Sequence, residues 1–276
     1  MARLDPRNRT RYWCDPAFPG LDLLHADFTT HEYAPHSHDS FVVAMTEAGG
    51  SEFKSRGQTL EARQRRLLVF NPVEPHSGRL ARSARWRYRS LYLGADALKD
   101  VQAALGISFT PYFTTNIFDD ADLFDAFHAL HCLIDSGSDR ARAREGLVAT
   151  FGELFRRHGS QRERIPAAPR DRAMLDAIVA EMRERHTENL TLEELGAPFG
   201  LTPFQLIGLF KRGTGMTPHT YLTQLRLRAA IGQLRAGKPI STAAVGAGFY
   251  DQSALTYHFK RAYGITPLQY VQAHRP

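Results

Sequence analysis

The sequence predicts two domains, an N-terminal all-β domain that carries a helical hairpin and a C-terminal all-α domain built from two helix-turn-helix units. Three observations lead to this fold class. The first half contains short apolar runs separated by glycines, a polar segment follows in the middle, and one motif occurs twice in the last third. The length of 276 residues is also typical of two domains.

The N-terminal domain is predicted over residues 1–158, and its β-region over residues 20–95. Apolar runs of strand length and one segment of period-two alternation are separated by single or paired glycines. In order, these features are Phe41–Met45, Gly49-Gly50, Gly57, Arg66–Phe70 and Trp86–Arg89. Several short strands with glycine turns predict a barrel or a sandwich.

Two amphipathic helices are predicted at about residues 119–158. Their apolar residues recur at helical spacing and are Leu123, Phe127, Leu130 and Ile134 in the first helix and Leu147, Phe151 and Leu154 in the second. Ser136–Ser138 separates the helices and contains a glycine, so the pair is predicted to form a hairpin. Residues 159–170 are polar, contain glycine and proline and lack apolar periodicity, which predicts an interdomain linker.

The C-terminal domain is predicted over residues 171–276 and contains an internal repeat. The fragment Phe210–Tyr221 recurs as Phe259–Tyr270, and in each copy Phe-Lys-Arg precedes a glycine, Gly215 or Gly264, that is followed by Thr-Pro. Glycine ends a helix in the left-handed conformation, and Thr-Pro supplies the cap and the first turn of the next helix. Each copy therefore predicts a helix, a stop and a second helix.

Helix starts upstream of each fragment complete two helix-turn-helix units. Thr191 and Thr202 both have the spacing of a capping box. The predicted elements are a helix over 192–199, a turn at Gly200, a helix through Lys211, a helix from Ser241 to about Gly246, a turn at Gly248-Phe249 and a restart near Asp251. This is the spacing of a helix-turn-helix, present twice.

Residues 200–276 carry a strong positive charge. Nine lysines or arginines and a single acidic residue, Asp251, occur there. Such an excess is the electrostatic footprint of a phosphate-binding surface, although a solvated basic face would show the same composition. The capped helical repeat favours DNA binding.

A signature stretch occurs in the second repeat. Its residues are Ala244, Gly248, Phe249, Ser253, Phe259, Lys260, Gly264, Pro267 and Tyr270. With this stretch, residues from about 171 to 276 resemble the AraC/XylS family of transcription regulators. The resemblance implies a bipartite reader of double-stranded DNA, in which two helix-turn-helix units joined by a long helix over about 217–235 enter successive major grooves.

The resemblance also implies which residues contact DNA. The base-reading positions are Phe204, Gln205, Ile207 and Gly208 in the first unit and Gln252, Ser253, Thr256 and Tyr257 in the second. The second set can exchange hydrogen bonds with base edges, whereas the first set is largely apolar and is expected to serve mainly in phosphate docking. Gln205 has a second interpretation, in which it only closes a capping box. Phosphate contacts are expected from Thr202, Lys211, Arg212, Arg226, Lys260 and Arg261.

A second resemblance concerns the N-terminal domain. His36-Ser37-His38, Gly49-Gly50 and Asn71–His76 are similar to the cupin-type sensor domain of many AraC-like regulators, which implies a cupin-like barrel. Contacts with a small-molecule effector are expected from His36, His38, His76, Trp86 and Tyr88. Alternatively, the histidines are satisfied strand residues and the aromatic side chains belong to the core. The glutamate that follows the His-x-His of metal-dependent cupins is missing, so no metal and no cofactor is predicted.

The leading hypothesis is a ligand-responsive, sequence-specific regulator that is not an enzyme and that contacts RNA polymerase. The alternative is a metal-dependent cupin enzyme with an accessory helical module, which would contain stoichiometric metal. The resemblance favours a homodimer formed through the hairpin, while the other interpretation is that the hairpin covers one face of the barrel. Only Cys14 and Cys132 are present, and neither a membrane-length apolar stretch nor a signal-peptide core occurs, which predicts a cytoplasmic protein without a membrane partner.

Overall fold

The structure is a computed structural model that describes residues 8–165, 167–263 and 266–273 and divides the chain into two compact units. Unit 1, Met1–Pro166, contains the β-strands, and unit 2, Ala167–Pro276, is helical. The predicted two-domain fold class is confirmed. Gly264, which is the second predicted helix stop, and Arg275, which is part of the basic excess, lie outside the described residues.

Unit 1 contains two antiparallel sheets that share one long strand. The strands are β1 (Arg9–Cys14), β2 (Leu21–Phe28), β3 (Glu32–His36), β4 (Phe41–Ser55), β5 (Gln58–Arg63), β6 (Leu67–Phe70), β7 (His76–Leu80), β8 (Trp86–Leu93) and β9 (Ile117–Phe118). The first sheet has the order β1-β2-β8-β4-β6-β9. In the second sheet, β4 pairs with β5 and β7, and β7 also pairs with β3. The three predicted strand segments fall in β4, β6 and β8.

The glycine pair Gly49-Gly50 lies inside β4, although the sequence pattern predicts a break there. The part of β4 up to Gly49 pairs with β8, with a register shift between Thr46 and Ala48, and the part from Gly50 onward pairs with β5 and β7. Gly49 has a φ of 72°, and a Cβ atom there would lie 1.7 Å from the Arg85 carbonyl oxygen. Glycine therefore allows one strand to bend from the first sheet into the second.

The helical hairpin consists of α2 (Ala121–Ser136) and α3 (Arg140–His158), preceded by α1 (Ala95–Leu105). Asp120 and Asp139 cap the two hairpin helices by accepting hydrogen bonds from the backbone. The seven apolar residues predicted on these helices are all buried, and α2 packs against β4 and β8. The hairpin thus covers one face of the first sheet, as in the second of the two interpretations that the sequence leaves open.

Helix α1 was not predicted, although its sequence carries a helical signal. Leu98, Val101 and Leu105 are buried and recur at spacings of three and four residues. Gly106 ends the helix with a φ of 70°. The helix follows β8 after only Gly94, so its start is easily taken for the end of the strand region.

The segment predicted as a linker, residues 159–170, is packed against the units on both sides of their boundary. In unit 1, the Ser160 amide donates to the Tyr112 carbonyl at 2.8 Å and Ile165 is buried. In unit 2, Ala167–Pro169 contacts a helix described below. Polarity and proline content predict a free linker here, but the carbonyl groups of such a segment can still accept hydrogen bonds from side chains.

Unit 2 contains seven α-helices among its described residues. They are α4 (Arg172–Glu184), α5 (Leu192–Gly196), α6 (Pro203–Thr214), α7 (Pro218–Arg235), α8 (Ile240–Gly246), α9 (Gln252–Tyr263) and α10 (Pro267–Ala273). The helix predicted over 192–199 is α-helical only to Gly196 and continues as a 3₁₀ turn, Ala197–Phe199. Pro198 accounts for this change because it lacks the amide hydrogen that a longer α-helix would require.

Each helix-turn-helix has its own hydrophobic core. The first core joins α4, α5, α6 and the start of α7, and the second joins the end of α7 to α8 and α9. Both predicted capping boxes are formed, at Thr191 with Glu194 and at Thr202 with Gln205. Helix α7 is therefore the one element that contributes to both cores.

Candidate functional site

The second helix-turn-helix presents its predicted base-reading residues together on α9. Leu255 and Phe259 face the core, while the four predicted residues lie on the remaining surface and are Gln252, Ser253, Thr256 and Tyr257. The Asp251 carboxylate caps the helix by accepting from the Ala254 amide at 2.7 Å. Gln252 and Ser253 are exposed in the first turn, which is the part of a recognition helix that meets base edges.

The first helix-turn-helix presents a different surface on α6. Phe204 and Ile207 are only 7% and 2% exposed, although they lie on the side of the helix opposite the core residues Leu206 and Leu209. Gln205 closes the capping box of α6, as its second interpretation predicts. Phe204 and Ile207, the two apolar members of the expected set, are thus not available at the surface in this structure.

The segment Ala167–Pro169, here called the strap, lies against the outward side of α6. Gln205 donates from Nε2 to the Ala167 carbonyl at 3.2 Å. Arg212 donates from Nη2 to the carbonyls of Ala168 and Pro169 at 2.6 and 2.5 Å. A Cβ atom on Gly208 would lie 2.7 Å from the Ala168 Cβ atom. Arg212, expected at a DNA phosphate, is therefore engaged by the strap.

The remaining predicted phosphate contacts divide into exposed and internal groups. Lys211, Lys260 and Arg261 are exposed. Arg226 instead donates to the carbonyls of His186 and Glu188, each at 2.7 Å, and burial lowers its pKa. Its guanidinium joins α7 to the loop after α4, which differs from the predicted surface position. These hydrogen bonds to backbone carbonyls explain why Arg226 is partly buried. Helical periodicity alone does not reveal such contacts.

Unit 1 contains a half-open cavity of about 410 Å³, which is lined by residues of both sheets. The five predicted effector residues all line it, together with other residues that are mostly apolar or aromatic. The predicted ones are His36, His38, His76, Trp86 and Tyr88. Concave, largely apolar cavities with few polar groups are the usual form of small-molecule sites.

The three histidines converge at one part of this cavity. One ring nitrogen from each of His36, His38 and His76 lies within 4.8 Å of those from the other two. Nδ1 of His36 and Nδ1 of His76 lie 2.8 and 2.9 Å from backbone carbonyls. A carbonyl only accepts, so these nitrogens carry the hydrogen and each Nε2 keeps its lone pair. Burial lowers the pKa of His76 to about 4 and also lowers that of His38, which keeps both rings neutral near pH 7.

Three imidazoles that converge in this way are a donor set that fits a divalent metal such as zinc. The Nδ1 hydrogen bonds of His36 and His76 to carbonyls are the kind of outer contact that orients histidine ligands. Within the described part of the chain, no carboxylate or thiolate joins the group. His36, His38 and His76 would therefore hold such an ion alone, and its remaining positions would be open to water or to a ligand.

Glu74 organises the turn before His76 and is a residue that sequence reasoning missed. Its carboxylate accepts hydrogen bonds from Ser55, Arg56, Asn71 and Asn116. Burial alone would raise its pKa, but these hydrogen bonds outweigh burial and lower the pKa to about 2. The only hint in the sequence is a glutamate between two prolines, since three of its four partners come from distant positions.

Two polar atoms in the cavity lack a hydrogen-bond partner among the described residues. They are the Ser51 hydroxyl and the Trp86 indole Nε1, both buried. In contrast, the hydroxyls of Tyr33 and Tyr88 lie 2.6 Å apart and satisfy each other. Because an unsatisfied buried donor is costly, an acceptor brought next to Trp86 Nε1 would be stabilising.

Comparisons with known proteins match both units. Residues 18–155 match the AraC-like ligand binding domain family, and residues 180–273 match a helix-turn-helix domain family. The chain belongs to the AraC family of transcriptional regulators. As an AraC-family protein, it is a ligand-responsive regulator that binds DNA.

Known proteins resemble this AraC-family chain over segments of different length. The uncharacterized HTH-type transcriptional regulator YbfI of Bacillus subtilis is 28% identical over 223 residues, which are 80% of this chain and 81% of that protein. The HTH-type transcriptional activator RhaS of Mannheimia succiniciproducens is 41% identical over 91 residues, 33% of this chain and 34% of that activator. A solved structure of ToxT from Vibrio cholerae covers 92% of this chain and 97% of its own, with 11% identity and a TM-score of 0.39. In the described residues, no helix is both long and apolar enough to cross a bilayer.

The stability of this domain should fall at acidic pH because two buried histidines resist protonation in the folded state. Burial lowers the pKa of His76 and that of His131 to about 4, and His131 accepts a hydrogen bond from Arg89 while donating to the Leu24 carbonyl. The unfolded chain binds these protons near pH 6.5, so stability is present above that pH and is lost as the pH falls toward 4. We expect each histidine to lower the free energy of unfolding by about 2 kcal/mol between pH 7 and pH 5.

Urea denaturation at several pH values measures this slope. His131→Gln should remove about 2 kcal/mol of this loss, because one proton-linked site is then absent. Glu47 and Glu74 have a pKa lowered to about 2, so their protonation reduces stability mainly below pH 5. Between pH 7 and pH 5 the histidines dominate the pH dependence. A stability that stays constant between pH 7 and 5 would contradict the prediction.

Proposed function

We propose that the cavity of unit 1 is the effector site and that the effector is uncharged, largely apolar and equipped with a hydrogen-bond acceptor. The observation that carries this proposal is the cavity itself, in a domain that matches a ligand-binding family and around which the five predicted residues meet. None of the described residues that line it is an aspartate, glutamate, lysine or arginine. Burying an unpaired charge there would be costly, so a neutral molecule fits best.

Matched naphthalene compounds test the chemical class of the effector. The full chain is heated with a methyl naphthoate ester, with ethylnaphthalene and with the naphthoate anion. We expect the ester to raise the Tm most, because it is neutral and offers an acceptor to Trp86. Trp86→Phe should abolish the difference between ester and hydrocarbon, while Tyr12→Phe, at an exposed lining residue, should retain it. A larger shift with the anion would contradict the proposal.

The two helix-turn-helix units have unequal roles in the proposed DNA complex. Helix α9 reads bases through Gln252, Ser253, Thr256 and Tyr257, which are presented on one surface. Helix α6 adds mainly phosphate contacts, through exposed Lys211 and the helix start at Thr202. Lys260 and Arg261 add phosphate contacts in the second unit. The exposure of these cations and the positive charge of residues 200–276 support this division.

The proposal also includes a homodimer, contact with RNA polymerase and action in the cytoplasm. Membership of the AraC family supports each of these. The apolar faces of α2 and α3 are buried within unit 1, so a dimer would use other surfaces of the hairpin. Light scattering of the purified chain measures the oligomeric state directly.

A second candidate function is a metal-dependent cupin enzyme. The convergence of His36, His38 and His76 favours it, since three imidazoles can bind a metal without the missing glutamate. The regulator proposal assigns no catalytic residue. Stoichiometric metal in the purified chain, lost together with an activity in His76→Ala, would favour the enzyme.

A further inference from the structure

The strap and α6 meet along a single stripe of the helix. Gln205, Gly208 and Arg212 are spaced by three and four residues, so they lie one above the other on one side of α6. Two of them hold strap carbonyls through hydrogen bonds, and the third lies directly beneath the Ala168 side chain. The strap thus follows the helix over two turns instead of crossing it at one point.

Gly208 is what permits this approach. A Cβ atom at that position would lie 2.7 Å from the Ala168 Cβ atom, which is closer than real side chains come. Any other residue at 208 would push the strap away from the helix. The absence of a side chain here, which looks like a missing DNA contact in the sequence, creates the space that the strap occupies.

The stripe contains Gln205 and Gly208, two positions at which the family resemblance implies base reading. Core residues occupy the opposite side, and the outward side also carries Phe204 and Ile207, which are buried in this structure. A recognition helix reads base edges by direct contact, so a peptide segment and a duplex cannot both occupy this side. With the strap in place, the part of α6 around Gln205, Gly208 and Arg212 is closed to DNA.

We propose that Ala167–Pro169 is an autoinhibitory strap that must leave α6 before the first helix-turn-helix can enter a groove. The inference rests on the proposed function, because it takes α6 to be a DNA-docking helix. The strap is the first segment of unit 2 and follows unit 1 directly in the chain. A change in unit 1 on effector binding can therefore be transmitted to the strap through the backbone.

The contacts suit a reversible device. The three hydrogen bonds from Gln205 and Arg212 are solvent-exposed, and the segment has no regular secondary structure. Exposed hydrogen bonds exchange readily with water, so release of the strap leaves no buried polar group unsatisfied. Both Gln205 and Arg212 become available to DNA when the strap leaves.

A disulfide between the strap and the helix tests the proposal in the full chain. In the double variant Ala168→Cys with Gly208→Cys, oxidation should hold the strap on α6, because the Cβ atoms need only move apart by about 1 Å to reach disulfide geometry. The probe is a duplex selected from random DNA with the wild-type chain. We expect oxidation to weaken binding about tenfold or more, since one helix-turn-helix is lost, and dithiothreitol to restore it.

The controls separate this inference from the proposed function. Each single cysteine variant, treated with the same oxidant, accounts for effects of Cys14 and Cys132. If the wild-type chain selects no duplex, the proposed DNA function fails. If the reduced double variant binds and the cross-linked form, verified by mass spectrometry of the joined peptides, binds equally well, the strap proposal alone is overturned.

A second pair of variants tests release of the strap without a cross-link. Ala168→Gln places a neutral side chain where there is no room above Gly208, so the strap should leave and binding should tighten about threefold or more. Ala167→Gln is the matched control, because Ala167 is exposed and uses only its carbonyl. Equal affinities for wild type and both variants would overturn the proposal.

Discussion

Replacing Glu74 by alanine is expected to lower the free energy of unfolding of unit 1 by about 2–4 kcal/mol, because the buried side-chain amides of Asn71 and Asn116 each lose an acceptor. The change leaves the Arg56 guanidinium without its carboxylate and removes one of two acceptors from each of the side-chain amides of Asn71 and Asn116. These groups join the β4–β5 turn to the segment before His76, so the histidine cluster should also lose its geometry. Urea denaturation followed by circular dichroism measures the loss.

Glu52→Ala is the matched control. Glu52 forms an ion pair with Arg79 on a neighbouring strand, but both side chains are at least one-third exposed. Such surface pairs contribute about 0–1 kcal/mol. If Glu74→Ala costs no more than Glu52→Ala, the network does not stabilise the domain in the way its geometry indicates.

Gln252→Ala is expected to weaken binding to a selected duplex by about 1–3 kcal/mol, which is the discrimination of one bidentate base contact. Gln252 is exposed in the first turn of α9, where a glutamine can pair with adenine through the oxygen and the nitrogen of its side-chain amide. On a scrambled duplex of the same length the loss should be small. Titrations on the two duplexes at one salt concentration measure both values.

Lys260→Ala is the control. Lys260 is exposed, and removing a phosphate contact should weaken binding to both duplexes equally. Ile207→Ala should lower stability without changing the preference for the selected duplex, since its side chain is buried. Equal losses on both duplexes for Gln252→Ala would mean that bases are read elsewhere.

Local signals in the sequence predict most of unit 2. The capping boxes at Thr191 and Thr202 and the helix stop at Gly215 each depend on residues a few positions apart, and all three are formed. The family resemblance adds the positions on α9 that are presented together. Where only local chemistry determines an element, the sequence is sufficient.

Contacts between distant positions are what the sequence does not reveal. Asn116 reaches Glu74 from 42 residues away, and Arg212 reaches Ala168 from 44 residues away. Both contacts involve groups that are common on protein surfaces, so composition and spacing give no sign of them. The bend of β4 at Gly49 is similar, because its cause is the approach of Arg85 from another strand.

The sharing of α7 by two separate cores limits the arrangement of the DNA sequence that this protein can read. An 18-residue helix is about 27 Å long, somewhat less than one turn of the double helix. Since each end of α7 is packed into its own core, the helix fixes both the distance and the rotation between the two helix-turn-helix units. The bases read by α9 and the phosphates that we propose α6 contacts should therefore lie at a constant separation along the duplex, and DNA bent or unwound between them should bind more weakly.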